Sequence, residues 1–220
     1  AHSQRGQQSR QLAHQGQARQ VISPVSLIVS AFASLDDVRG NFTPQLQAQG
    51  DTSLILIDLG QGQHRMAQST LAQVLDQSGE RVPDLDDPAL LVNLVKAIHA
   101  LRQQGLVLAY HDRSDGGLLA CVAEMAFAGH VGVALNVDLL VTPGDGIADS
   151  RADHGDAKNW AQQVSARREE DTLKALFNEE LGVVIQVRTE DRSRVMAILR
   201  DHDLSRHSHT IGKTRPWDAP

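Results

Sequence analysis

The stretch Ala109-Tyr110-His111-Asp112-Arg113-Ser114-Asp115-Gly116-Gly117-Leu118-Leu119 limits what this chain can fold into more than any other. An apolar run, Leu106–Tyr110, leads into it. Leu118, Val122, Met125 and Ala126 lead away from it at helical spacing. This pattern predicts a strand, a tight polar turn and a helix. Two carboxylates, a hydroxyl and a glycine pair are concentrated in the turn. A turn at a helix N-terminus can direct backbone N–H groups at an anion. Asp112 and Asp115 bring the hard oxygen ligands that suit Mg²⁺.

Other elements follow from similar patterns. Val25–Ala33 and Ser53–Leu59 are β-rich apolar runs and predict buried strands. Ser69–Gln77 predicts a short amphipathic helix. Pro88–Gln104 predicts a longer one, with Leu90, Leu91, Leu94, Val95, Ile98 and Leu101 at helical spacing. Asp87 is its expected N-cap, with Pro88 at the first helical position and Gly105 just past the end. Strands are expected at Val131–Val137, Val183–Val187 and His209–Lys213, and helices at Thr172–Glu180 and Asp191–Asp201. Because helices separate the strands in some places and not in others, the fold class is α/β (α+β layered), a mixed β-sheet covered by helices.

Residues 1–22 are dominated by Gln and predict a disordered or weakly helical lead-in. Residues 23–215 read as one domain, interrupted at 142–170 by a polar segment expected to be a mobile insertion, with 216–220 as a tail. The net charge of −6 and the 3% aromatic content argue against a nucleic-acid-binding surface. No apolar run is long enough for a membrane span. The single cysteine, Cys121, excludes an internal disulfide and fits a cytoplasmic location.

Each candidate residue also has a plain structural explanation. Asp112 can ligate a metal or cap a turn, Ser114 can contact a nucleotide, and Ser114 or Asp115 can instead cap the next helix. Gly116 and Gly117 can admit a ligand to the backbone or simply adopt turn angles closed to other residues. The motif is not a Walker A loop, because it lacks the Gly-Lys-Ser/Thr ending. His111 has no visible partner to tune it as a base. Cys121 sits among apolar helix positions and reads as core. His202, His207 and His209 lack metal-ligand spacing and read as a solvated loop. Asn178, Glu179 and Glu180 either orient a ligand or end a helix, where carboxylates oppose the helix dipole.

Four segments in order, VSLIVSAFASLDDVR, LILIDLG, AYHDRSDGGLLACVAEMAFAGH and LFNEELGVVIQV, resemble phosphoribosylformylglycinamidine synthase. The resemblance runs from Ser23 to Gly212, apart from Thr142–Glu170. HDRSDGGL alone fits the wider superfamily of ATP-binding relatives of aminoimidazole-ribonucleotide synthetase. The resemblance implies the C-terminal-type subdomain of the second ATP-fold pair, which holds ATP or ADP and Mg²⁺ at an auxiliary site. It makes Asp112 a Mg²⁺ ligand and Ser114 a nucleotide contact. The other metal ligands would come from the preceding subdomain of the same synthase. It further implies a fragment without the glutaminase domain, inactive alone in glutamine- and ATP-dependent amidine formation.

Overall fold

Leu54, Ile55, Leu56 and Ile57 are all buried, so the strand that carries them is covered on both faces. The computed structural model of the chain describes residues 8–14, 17–23, 29–34, 36–48, 50–141 and 168–216. It has two units, Ala1–Arg39 and Gly40–Pro220. In the first, β1 (Gln8–His14) and β2 (Gln17–Ser23) pair antiparallel, from Gln8 opposite Ser23 to His14 opposite Gln17. The hairpin lies where composition predicts a disordered or weakly helical lead-in. Backbone pairing across a short Gly-containing connection does not need an apolar period.

The strand expected at Val25–Ala33 is not found over its described residues, 29–33, where Val29 and Phe32 are exposed. Residues 24–28 lie outside the described set. A β-rich segment becomes a strand only where a neighbour takes its hydrogen bonds.

The second unit holds a five-stranded sheet in the order β4-β6-β3-β7-β5. Its strands are β3 (Thr52–Asp58), β4 (Ala109–Asp112), β5 (Gly132–Leu135), β6 (Gly182–Arg188) and β7 (Ser208–Arg215). The described pairs are all antiparallel, which corrects the expected mixed sheet. The layered architecture itself is as expected. Strand direction depends on long-range pairing, which local patterns do not carry.

Among the described residues, six α-helices accompany the sheet: α1 (Thr70–Val74), α2 (Pro88–Gln103), α3 (Gly117–Gly129), α4 (Asp138–Val141), α5 (168–177) and α6 (Arg192–Asp201). The two-residue period of β3 and β6 divides the core. Ile55, Ile57, Val183, Ile185 and Val187 pack with α2 and α6, while Leu54, Leu56 and Val184 pack with α3 on the opposite face. Asp87 caps α2 by accepting from the Ala89 N–H at 2.9 Å. Leu90, Leu94, Ala97 and Leu101 form its buried stripe, whereas Leu91 and Val95, expected inside, face solvent. Of the expected insertion at 142–170, residues 142–167 lie outside the described set and 168–170 belong to α5.

The sheet positions the site through its register. Asp58 pairs with Gly182, Asp112 with Val183 and Ile57 with Ser208. One end of the sheet therefore gathers the Asp112–Gly117 turn, the loop after Asp58, the Asn178–Gly182 segment and the start of β7.

Candidate functional site

Three consecutive residues leave β4 in different environments. Asp112 and Ser114 are exposed, whereas Arg113 between them is only 4% exposed. Arg113 donates from Nε to the Glu180 carbonyl at 2.5 Å. From Nη2 it donates to Asp58 Oδ1 at 2.5 Å and to the Leu181 carbonyl at 3.2 Å. Its backbone N–H donates to the Gly182 carbonyl at 2.8 Å. With its guanidinium drawn into the protein, its two neighbours face outward.

A second buried pair lies beside the first. Arg65 donates to the Glu180 carboxylate from its backbone N–H at 2.9 Å, from Nε at 2.6 Å and from Nη2 at 2.7 Å. It also reaches Asp86 and the Asp84 carbonyl. Buried charges are tolerable when paired and fully hydrogen-bonded. Among the described residues, no buried side-chain polar atom lacks a partner. Glu180 thus serves both arginines, with its carboxylate on Arg65 and its carbonyl on Arg113.

The turn opens α3 without a side-chain cap. Gly116 is the N-cap at φ 80°, and no side chain bonds to the first helical N–H groups. The capping explanation for Ser114 and Asp115 is therefore not realised, and both side chains are exposed without a partner among the described residues. Asp112 accepts the Tyr110 hydroxyl at 2.7 Å. Burial, reinforced by Asp112, holds the Tyr110 phenol above its ordinary pKa. The Gly116 N–H, offered to an external anion by the sequence pattern, donates instead to Glu179 Oε1 at 2.8 Å. Glu179 also accepts from the Thr70 N–H at 2.8 Å. Gly117, at φ 70°, passes so close to the end of α5 that a Cβ would lie 2.7 Å from the Asn178 carbonyl oxygen.

The other sequence candidates are also placed. His111 does have a partner, because Nε2 lies 2.7 Å from Glu124 Oε2 on α3. Cys121 is core: it is buried, and burial pushes its thiol up to about 12, which disfavours the reactive thiolate. The solvated-loop expectation for the C-terminal histidines is corrected at His207, which is buried, and at His209, which is half-buried in β7. Both line hollows beside Asp58. The larger hollow, about 470 Å³, is bounded by Asp58, His64, Lys174, Arg206 and His209 with the apolar α4, and neither Asp112 nor Ser114 lines it.

Burial raises the Asp58 pKa, but Arg113 and the Gly62 N–H outweigh it and hold the carboxyl below its ordinary value. Burial lowers His64, His207 and His209, with Asp58 opposing the shift in each. At each of the three, burial favours the neutral imidazole. No group of three or more His, Cys, Asp or Glu that could hold a metal occurs among the described residues.

The roles of Arg113 and Arg65 are not legible in the sequence, where each is one polar residue in a polar turn. The available signal was Asn178-Glu179-Glu180, three polar residues just ahead of the apolar run Val183–Ile185.

Comparison with known proteins adds a family and a fold. A family model described as AIR synthase related protein, C-terminal domain, matches residues 52–216. The structure of PurLQS from Thermotoga maritima is similar at a TM-score of 0.52 and 15% identity over 81% of this chain and 24% of that one. T. maritima PurL complexed with ADP is similar at 0.52 and 15%, over 81% and 23%. A hydrogenase maturation protein, E. coli HypE, is similar at 0.48 and 20%, over 80% and 47%. This chain thus spans about a quarter of each PurL chain it matches. No helix among the described residues is long and apolar enough to cross a membrane.

Proposed function

The chain belongs to the AIR synthase related, C-terminal domain family. From that premise we propose that it is part of a phosphoribosylformylglycinamidine synthase and supplies one wall of a nucleotide–Mg²⁺ site. Asp112 is the metal-facing carboxylate and Ser114 the nucleotide-facing hydroxyl. The observation that carries this proposal is the outward pairing of Asp112 and Ser114 around inward Arg113, at a helix start that neither of them caps. T. maritima PurL structures complexed with ATP and ADP support a nucleotide as the ligand.

The residues fit a partial metal site. Mg²⁺ is held by one or two carboxylates together with water and phosphate oxygens, and Asp112 offers a carboxylate open to solvent. One carboxylate is not a complete donor set, so the remaining ligands belong to other subdomains of the same synthase. In the whole protein, the reaction is the ATP- and glutamine-dependent conversion of formylglycinamide ribonucleotide to its amidine, in the cytoplasm.

Calorimetric titration with ADP, with and without Mg²⁺, tests the site. Mg²⁺-dependent binding that Asp112→Asn abolishes supports it. No binding at millimolar ADP would make the domain an assembly module without ligand affinity of its own, since half a site forfeits most of its contacts while retaining the cost of ordering a ligand.

A further inference from the structure

We propose that Arg113 is the positioning residue of this site. It acts as a clamp that holds Asp112 and Ser114 at their working geometry without touching the ligand itself. The proposal rests on the nucleotide–Mg²⁺ reading for the identity of the ligand, but not for the clamp.

Arg113 spends its side chain on two separate parts of the fold. One is the Asp58 carboxylate at the end of β3; the other is the pair of carbonyls of Glu180 and Leu181 just before β6. Its backbone N–H closes the ladder on Gly182. The turn is thereby fixed to both central strands at once. A planar guanidinium can serve a carboxylate and two carbonyls together, whereas a lysine ammonium on a flexible stem lacks that fork.

The space around the clamp is also committed. A Cβ at Gly182 would lie 3.2 Å from Arg113 Nη2 and 2.7 Å from the Ile57 carbonyl oxygen. The Asp58 carboxylate is held from behind by the N–H groups of Gly60 and Gly62, at 3.1 and 2.8 Å. Glu180, which supplies a carbonyl to Arg113, is fixed through its carboxylate by Arg65. The side chains of Asp112 and Ser114 have no comparable anchors: the Asp112 carboxylate has one hydrogen bond, to Tyr110, and the Ser114 hydroxyl has none among the described residues. Beside the β4–β6 pairing at Asp112 and the Gly116–Glu179 bond, Arg113 is the buried side chain of the turn that fixes where these two groups stand. Binding groups held by such supporting contacts act at much higher effective concentration than the same groups on a loose loop.

The test uses Arg113→Lys, with Asp58→Asn as a second variant that loosens the clamp from the other side and leaves Arg113 in place. The first readout needs no ligand. Amide hydrogen exchange over residues 110–117 should rise about tenfold or more in both variants, while the centres of β3 and β6 stay protected. Unchanged exchange in the turn would overturn the clamp.

The second readout is ADP affinity in the presence of Mg²⁺. Arg113→Lys should weaken it about tenfold, and Ser114→Ala added to Arg113→Lys should cost much less than in the wild type, because the two act through one geometry. Independent, additive losses would overturn the proposal. If the wild type binds no ADP, the nucleotide reading fails, and the exchange measurement still decides the clamp.

Discussion

Arg113 Nη2 and Asp58 Oδ1 lie 2.5 Å apart in a buried ion pair that ties the β4–α3 turn to the end of β3. Deleting one partner leaves the other charge buried with fewer contacts. Asp58→Ala is expected to destabilise the domain by about 3–5 kcal/mol. Urea unfolding measures this, and a loss below about 1 kcal/mol would show that water takes over the role of Asp58.

Asp112 contrasts with Asp58. It is exposed and bonded to one hydroxyl, so Asp112→Asn should change the unfolding free energy by less than about 1 kcal/mol. The same substitution should remove Mg²⁺-dependent nucleotide binding. A melting curve and a titration on one preparation separate the two effects.

The sheet was legible in pieces. Leu54–Ile57 and Val183–Val187 read as buried strands because apolar residues fall on both faces of each, Gln186 being the one polar residue among them, and Leu90, Leu94 and Leu101 mark the inner stripe of α2. Pairing was not legible, because the register that sets Asp58 opposite Gly182 spans most of the domain. Arg113 was hidden for the same reason: its partners Asp58 and Glu180 lie 55 and 67 positions away, so nothing local marks it as buried. Asp112 and Ser114 were visible as candidates because hard oxygens beside a glycine pair are a local signal. The apolar run at 25–33 misled because composition cannot show whether a neighbouring strand is present.

Two glycines with the same backbone twist should respond differently to alanine. Gly62 (φ 71°) has nothing within 4 Å of a new Cβ, while Gly117 (φ 70°) has the end of α5 at 2.7 Å. Gly62→Ala is expected to cost about 1–2 kcal/mol, for the left-handed conformation alone. Gly117→Ala should cost clearly more, because backbone must also move. Equal urea midpoints for the two variants would contradict the close packing of the turn on α5.

Acid should destabilise the domain well above the carboxylate range. His64, His207 and His209 have folded pKa values below the ordinary 6.5, first through burial. The unfolded chain therefore takes up protons first as pH falls. Their stabilising contribution is full above pH 6.5 and is lost as pH drops toward the folded values. Asp58, with its pKa lowered, contributes above its ordinary value of 3.8 and is lost only at lower pH. Urea midpoints between pH 7.5 and about 5 should decline, and His209→Gln should flatten that decline.

Cys121 should resist alkylation in the native state. The residue is 3% exposed and burial pushes its thiol up to about 12, so little thiolate forms at pH 8. Iodoacetamide should label it only after unfolding, and rapid native labelling would show that α3 opens.

Nucleotide and metal are proposed to meet this chain at Asp112 and Ser114. Mn²⁺ in place of Mg²⁺, added with ADP, broadens amide NMR signals near the metal. The site at Asp112 predicts ADP-dependent broadening centred on residues 111–116 and lost in Asp112→Asn. Broadening centred on the hollow of Asp58, His64 and His209, or none that depends on ADP, would contradict it.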